Sequence, residues 1–395
     1  MASQADTRRR LRDAALRAGE LVAGTTTARL ALAALAETVD LQAVPEEVRG
    51  PVAARLARVP APEPLPFDRV ERVLRDAWGK RAAAVLDDLR REPAAVTPGA
   101  VVHRGVLDGR DVAVKVRRPG LAEAVRSDLG LADAIVPLFG ALVPRVDVGA
   151  VAREVRERIL DELDLEYEGS VQRSFARALR RHPDLHVPAV HGELTHEAVL
   201  VTDWVEGVAV GDLSGKSERL RAAELLVRFH LGAARFGTVH ADPHPRDALL
   251  GADGRLAVLD FGATRRVEPA RVDLAVAALD ALAAGDGRGL GSALASLGWL
   301  PERDGARALA PAQDIFAPLL GGTATLDAAA ARGLARRAAA QERALLALLP
   351  HAGVAPEDLW PLRMLGGLFT VLARLGARSD WLALARRALA DGWNQ

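Results

Sequence analysis

Two short stretches of alternating apolar and polar residues stand out in a chain otherwise patterned for helices. Residues Val101 to Leu107 and Asp111 to Val116 read as strands joined by Asp108-Gly109-Arg110. In the second, Val112, Val114 and Val116 fall on one face and Ala113, Lys115 and Arg117 on the other. One face packs, which leaves the other to meet a ligand. A second hairpin is predicted where Ala248-Leu249-Leu250 and Leu256-Ala257-Val258-Leu259 flank Gly251-Ala252-Asp253-Gly254, because an Asp-Gly pair between apolar runs favours a tight reversal. A further strand, Ala198 to Thr202, ends in Asp203-Trp204-Val205-Glu206-Gly207.

Helical spacing fills the rest. Residues 7 to about 90 carry it at Leu11, Ala15 and Leu21, at Leu30, Leu32 and Leu35, and at Val70, Val73 and Leu74, with the Pro-rich run from Pro60 to Pro66 dividing two blocks. Residues 147 to 180 read as one amphipathic helix, with Val148, Val151, Val155, Ile159 and Leu163 on its apolar face and Glu154, Glu157, Asp161 and Glu162 mostly off it. If that helix is continuous, Asp164 and Glu168 lie one turn apart on one face. Residues 217 to 236 form another, with Leu220, Leu225, Leu226, Phe229 and Ala233 as its stripe. After Phe261, helices are predicted around 270 to 284, 304 to 319, 326 to 349 and 357 to 390, broken by Gly285-Asp286-Gly287, Gly321-Gly322 and Pro350. The last carries Trp360, Leu362, Leu365, Leu368, Phe369, Leu372, Trp381, Leu382 and Leu384, and core packing is preferred for it over a partner or a membrane surface.

Composition narrows the functional classes. The 395 residues are half apolar, which gives ample core for two or three structural units. Acidic and basic residues balance at 52 each, so the chain has no overall basic footprint and nucleic acid is not expected as a partner. With no cysteine, thiolate chemistry and disulfides are excluded. Arg8-Arg9-Arg10 is followed by Asp13, Arg17 and Glu20 and reads as a charged helix start, not an export signal. Nothing reaches the roughly 18 uninterrupted apolar residues a spanning helix needs, and the expected location is the cytoplasm.

The chemistry gathers between His240 and Gly262. Asp242 and Asp247 are five apart in an H-x-D-x-x-x-x-D arrangement, and Asp260 opens a D-F-G at the end of the predicted hairpin. A catalytic-loop Asp, a metal ligand five residues on, then a strand and D-F-G is the layout of protein-kinase-like phosphoryl transfer. Lys115, one of only three lysines, sits in V-A-V-K, the position of a phosphate-contacting ammonium held by a helix carboxylate. The acidic run Glu162-Leu163-Asp164-Leu165-Glu166-Tyr167-Glu168 offers that carboxylate. Backbone after Asp203, at Trp204 and Val205, is positioned to meet an adenine edge. His240 and His244 flank Asp242, but with no third ligand evident they read as structural hydrogen bonders, not zinc ligands.

In this order the residues resemble the UbiB/AarF family of atypical protein-kinase-like proteins over most of the chain up to about residue 265. H-A-D-P-H-P at 240 to 245 is the most specific element, joined by E-L-D with Glu168 four residues after its Asp, V-A-V-K and D-F-G. The resemblance implies an α+β, helix-rich, two-lobed kinase-like fold. It divides the chain into an N-terminal helical extension (1 to 90), a small lobe with inserted helices (91 to 207), a large lobe (208 to 290) and a C-terminal helical region (291 to 395). It also implies that Lys115 pairs with Glu168, that Glu162 and Asp164 belong to an acidic motif at the nucleotide site, that Asp242 is the catalytic-loop Asp, and that Asp260 holds magnesium with ATP or ADP. The implied role is ATP-dependent support of quinone-type lipid biosynthesis at a membrane, with lipid, membrane-surface or protein contacts.

Three departures accompany the resemblance. The family's N-terminal K-x-G-Q motif is absent, with Thr27, Ala28, Arg29 and Leu30 in its place. The Ala-rich nucleotide loop contains Pro98-Gly99 and ends at His103. The usual metal-binding Asn is Asp247, preceded by Arg246; a carboxylate is still a hard oxygen ligand for magnesium. An ATP-dependent enzyme and a nucleotide-binding pseudokinase or interaction scaffold are the two readings that follow. A small-molecule phosphotransferase shares H-x-D and a downstream metal Asp but leaves E-L-D and H-A-D-P-H-P unexplained.

Overall fold

The computed structural model describes residues 25–27, 46–129 and 148–393, so the helical expectations before residue 46, apart from Thr25 to Thr27, lie outside the described residues, as do Ala28, Arg29 and Leu30. Helices α1 (Glu46–Leu56) and α2 (Phe67–Trp78) are separated by the Pro-rich run, as its composition predicts. The first sheet follows, with β1 (Asp88–Leu89), β2 (Ala95–Val96), β3 (Ala100–Leu107), β4 (Arg110–Arg117) and β6 (Val199–Asp203). It is antiparallel in the order β1-β3-β4-β6, with β2 also on β3. The alternation in β4 does what it predicts. Val112, Val114 and Val116 are buried with Val101, Val199 and Val201 against Val70 and Leu74 of α2, while Lys115 stands on the opposite face. Burial of each such valine is worth at most about 1.5–3 kcal/mol.

A short helix α3 (121–129) leads to the undescribed segment and then to α4 (Val148–Asp161) and α5 (Leu165–Ala178). The single helix expected over 147 to 180 is therefore broken at Glu162-Leu163-Asp164. Asp164 causes the break: its backbone is extended and its carboxylate accepts from the amides of Glu166 and Tyr167, a side-chain N-cap that starts α5 anew. Val155, expected on the apolar face of α4, is exposed. Ile159 and Leu163 of that face do pack, with Leu160, on Leu121, Val125 and Leu129 of α3.

The larger body is built around α6 (Lys216–Arg235). A second sheet of β5 (Leu185–His186), β7 (Val208–Ala209), β9 (Ala248–Leu250) and β10 (Leu256–Val258) runs in the order β5-β10-β9-β7, with β9 and β10 forming the predicted hairpin. Strands β8 (Thr238–His240) and β11 (Thr264–Arg266) pair separately. Helices α7 (Pro269–Ala284), α8 (Gly287–Ser296), α9 (Glu302–Arg307), α10 (Leu309–Leu320), α11 (Ala328–Ala340), α12 (Glu342–Leu348), α13 (Leu359–Leu375) and α14 (Trp381–Asp391) complete it. The stretch expected as one helix over 357 to 390 is interrupted at left-handed Gly376 and by β13 (Arg378–Ser379), which pairs with β12 (Ala324–Thr325). Its apolar residues go inward: Trp360, Leu368, Leu372, Trp381 and Leu384 share one core with Leu225, Leu226 and Phe229 of α6 and with Phe261. Leu362 and Leu365 are exposed. Among the described residues no helix is long and apolar enough to cross a membrane.

Candidate functional site

Strand pairing brings the acidic residues together. Thr264 of β11 lies opposite His240 of β8, and the Ala241 amide donates to Ala263 O at 2.7 Å, so the loop carrying Asp242 runs beside Asp260-Phe261-Gly262. The β9–β10 hairpin takes up most of the seventeen residues between Asp242 and Asp260 without separating them. Phe261 is fully buried against Phe175 and His240, which anchors the loop. His240 Nε2 donates to the Asp260 carbonyl, and His230 Nδ1 to the His240 carbonyl at 3.2 Å. The loop histidine is thus a structural hydrogen bonder, and among the described residues no three metal-type side chains form a cluster.

Lys115 reaches this loop from the sheet. Its Nζ donates to both Glu168 carboxylate oxygens at 2.9 Å and to Asp260 Oδ2 at 2.9 Å. Glu168 comes from α5, which packs tightly on β6; a Cβ at the adjacent Gly169 would lie 3.1 Å from Leu200 and Thr195 side-chain carbons. Burial opposes the charge on Lys115, but Asp260 and Glu168 outweigh it and raise the lysine above its ordinary value. Burial also raises Asp260, and the Lys115 ammonium with the Gly262 amide overcomes it, holding that carboxyl at about 2. Glu168 is pushed up to about 7 by burial and by the negative charge of Asp260, against the pull of Lys115. One ammonium is shared by two carboxylates of unequal burial, and the more buried one protonates first.

A cavity of about 170 Å³ opens onto this triad. Thr97, Gly99 and Ala100 of the β2–β3 turn line it, with Leu121, Leu163, Leu165 and Ala263 as an apolar wall and Lys115, Glu162, Glu168, Asp242 and Asp260 as a polar one. The Pro98-Gly99 turn is closed by Thr97, whose amide and hydroxyl both bond Ala100, and is pinned from behind by Arg118. The remaining predicted site residues lie outside this lining. Asp164 is occupied as the cap of α5. The Asp203 carboxylate accepts from His191 at 2.9 Å, and the Asp203 amide donates to Ala189. Trp204 donates its amide to Asp111 at 3.1 Å and stacks under Arg104, so that amide, expected at an adenine edge, belongs instead to the sheet ladder. Val205 follows it outside the lining.

Asp247 lies outside the cavity lining, its Oδ2 3.7 Å from His244 Nδ1. Burial and the charge of Asp260 raise its carboxyl well above the ordinary range, against the attraction of Lys115. Carboxylates thus outnumber the cations bonded to them, an imbalance that a divalent cation relieves. Magnesium takes one or two protein carboxylates and fills its remaining positions with phosphate and water oxygens, so Asp260 and Asp247 fit it as donors.

Sequence reasoning missed one residue. Arg363 of α13 donates to Asp242 Oδ2 at 2.9 Å and to Glu162 Oε1 at 3.0 Å. Its only signal is a lone charge among Leu362, Met364 and Leu365, and no local motif marks it.

Comparison with known proteins agrees with this architecture. The model of the ABC1 atypical kinase-like domain matches residues 60–293, more than half of the chain. The Arabidopsis thaliana protein Activity of BC1 Complex Kinase 3, chloroplastic, is 32% identical over 187 residues, 45% of this chain and 26% of that protein. The probable protein kinase UbiB of Marinobacter nauticus is 27% identical over 225 residues, 54% of this chain and 41% of that one. The chain thus matches less than half the length of either relative. The solved structure of Rv3197 from Mycobacterium tuberculosis, in complex with erythromycin, superposes over the whole of both chains with a TM-score of 0.66 at 24% identity, a likeness of fold. The matched domain, the kinase-like architecture and these relatives make the chain a member of the UbiB/AarF family of ABC1 atypical kinases.

Proposed function

We propose that the cavity binds ATP or ADP with magnesium and transfers or hydrolyses the terminal phosphoryl group. The observation that carries this reading is the Lys115–Glu168–Asp260 triad, with all contacts at 2.9 Å, in a cavity that Asp242 also lines. Asp260 and Asp247 would hold magnesium, which neutralises charge on the phosphate oxygens. Lys115 leaves part of its bonding to Asp260 to meet a phosphate, while Glu168 keeps it aimed into the cavity. Asp242 accepts the proton of an acceptor hydroxyl or water as its oxygen bonds to the γ-phosphorus and the β,γ-bridging oxygen leaves with ADP. The Thr97–Ala100 turn and the apolar wall exclude water from one side.

The acceptor belongs to the family's implied chemistry, and support of isoprenoid-quinone or other lipid metabolism, in the cytoplasm or at a membrane surface, rests on kinship alone. Thermal unfolding with ATP or ADP, in magnesium and in chelator, tests the reading. A ligand selective for the folded state raises the midpoint. A magnesium-dependent rise, lost in Lys115→Ala and Asp260→Ala, is the expected result. A rise without ATP turnover assigns a nucleotide-binding pseudokinase; no rise at saturating nucleotide rejects the nucleotide site.

A further inference from the structure

The polar wall of the cavity is completed from outside the matched domain. Arg363 bridges Asp242 and Glu162 with its two terminal nitrogens, at 2.9 and 3.0 Å, from a helix that begins at Leu359. Helix α13 carries only two charged residues, Arg363 and Arg374, along its 17 positions. It is fixed on both sides. Trp360, Met364 and Leu368 are buried in the large core, and Trp360 Nε1 donates to Glu154 of α4 at 3.0 Å. One turn after Arg363, a Cβ on Gly367 would lie 2.9 Å from Pro243 Cδ, so the helix backbone runs against the residue that follows Asp242. Arg363 and Gly367 share a face at i, i+4, and that face braces the Asp242 loop.

We propose that Arg363 is a positioning residue for phosphoryl transfer: it fixes the Asp242 carboxylate at the acceptor side of the cavity and makes α13 part of the reaction site. The inference rests on the phosphoryl-transfer reading of this cavity. An aspartate has two side-chain torsions to restrain, and occupying one oxygen leaves the other to accept the acceptor's proton. The bridge uses the planar fork of arginine, two nitrogens directed at two carboxylates, which a single lysine ammonium reproduces only in part.

The test measures ATP turnover, MgATP affinity and unfolding midpoint in wild type, Arg363→Ala, Arg363→Lys and Gly367→Val. Arg363→Ala is expected to lower kcat by about ten- to a hundredfold, the scale of a misplaced catalytic group, with MgATP affinity held within about threefold. Arg363→Lys recovers part of that loss. Gly367→Val, which pushes α13 away from Pro243, gives the same split. Unchanged kcat in Arg363→Ala overturns the proposal, as does a parallel loss of kcat, affinity and midpoint without recovery by lysine. A wild-type protein that binds MgATP without turnover also overturns it and leaves the nucleotide site standing. A wild type that binds no MgATP overturns both.

Discussion

Two cations hold the walls of one cavity, and only one of them has a fully buried partner. Lys115 binds Glu168 and Asp260 from the floor of a sheet, and those carboxylates are 1% and 40% exposed. Arg363 binds Glu162 and Asp242 from a C-terminal helix, and those carboxylates are 31% and 50% exposed. The bond lengths are alike. Burial differs, and burial decides what each contact contributes. A buried carboxylate without its cation carries a desolvation penalty, whereas a half-exposed one is rehydrated. The Lys115 triad therefore joins stability to the proposed nucleotide binding, while the Arg363 bridge contributes mainly geometry.

Removing the more exposed carboxylate of the first triad breaks the comparison most strongly. Asp260→Ala is expected to abolish magnesium-dependent nucleotide binding, measured by equilibrium dialysis, because it deletes the proposed magnesium ligand and a partner of Lys115 at once. Next in size is the stability contrast. In chemical denaturation Lys115→Ala should cost about 3–5 kcal/mol by stranding Glu168, and Lys115→Met with Glu168→Gln should recover much of it. Arg363→Ala, after allowance for solvent around exposed partners, should stay within about 1 kcal/mol of wild type. Equal losses in the two single variants would dissolve the distinction drawn from burial.

Acid sensitivity sharpens the comparison by separating the triads from the core behind them. Burial first, and the neighbouring His240 second, lower His230 well below its ordinary value of 6.5. A histidine depressed in the folded state contributes stability that is present above about 6.5 and lost as pH falls, by at most about 1.4 kcal/mol per pH unit. Glu168, raised from 4.5 to about 7, works in the opposite direction: its folded form binds the proton first, so its contribution grows as pH falls through that window. Unfolding free energies between pH 7.5 and 5 should therefore decline more steeply in wild type than in His230→Gln. A comparably small effect is expected in Asp164→Ala, about 1 kcal/mol from loss of the α5 cap, measured by denaturation.

The strands were readable because their information is local. Alternating valines around Lys115 and the Asp-Gly reversal between β9 and β10 specify face and register within a few residues. The break before α5 was also written there, as Asp164 followed by acidic residues in the next turn, but the apolar spacing continues across it and periodicity alone reads one helix. The Trp204 amide shows the converse: the β4–β6 register uses it, and register is a property of two distant strands. Two-residue strands such as β1 and β2 carry no usable period. Arg363 depends on a contact 121 residues away and on the close approach at Gly367, neither of which leaves a pattern in its neighbours.

The most direct measurement of the central claim is a calorimetric titration of ATP into the wild-type protein, with magnesium and with chelator, repeated with Asp260→Ala. The account predicts saturable one-site binding in magnesium, at least tenfold weaker in chelator, and no saturable binding in the variant. Binding of equal affinity in all three experiments would contradict it, because the nucleotide would then be held without Asp260 or the metal.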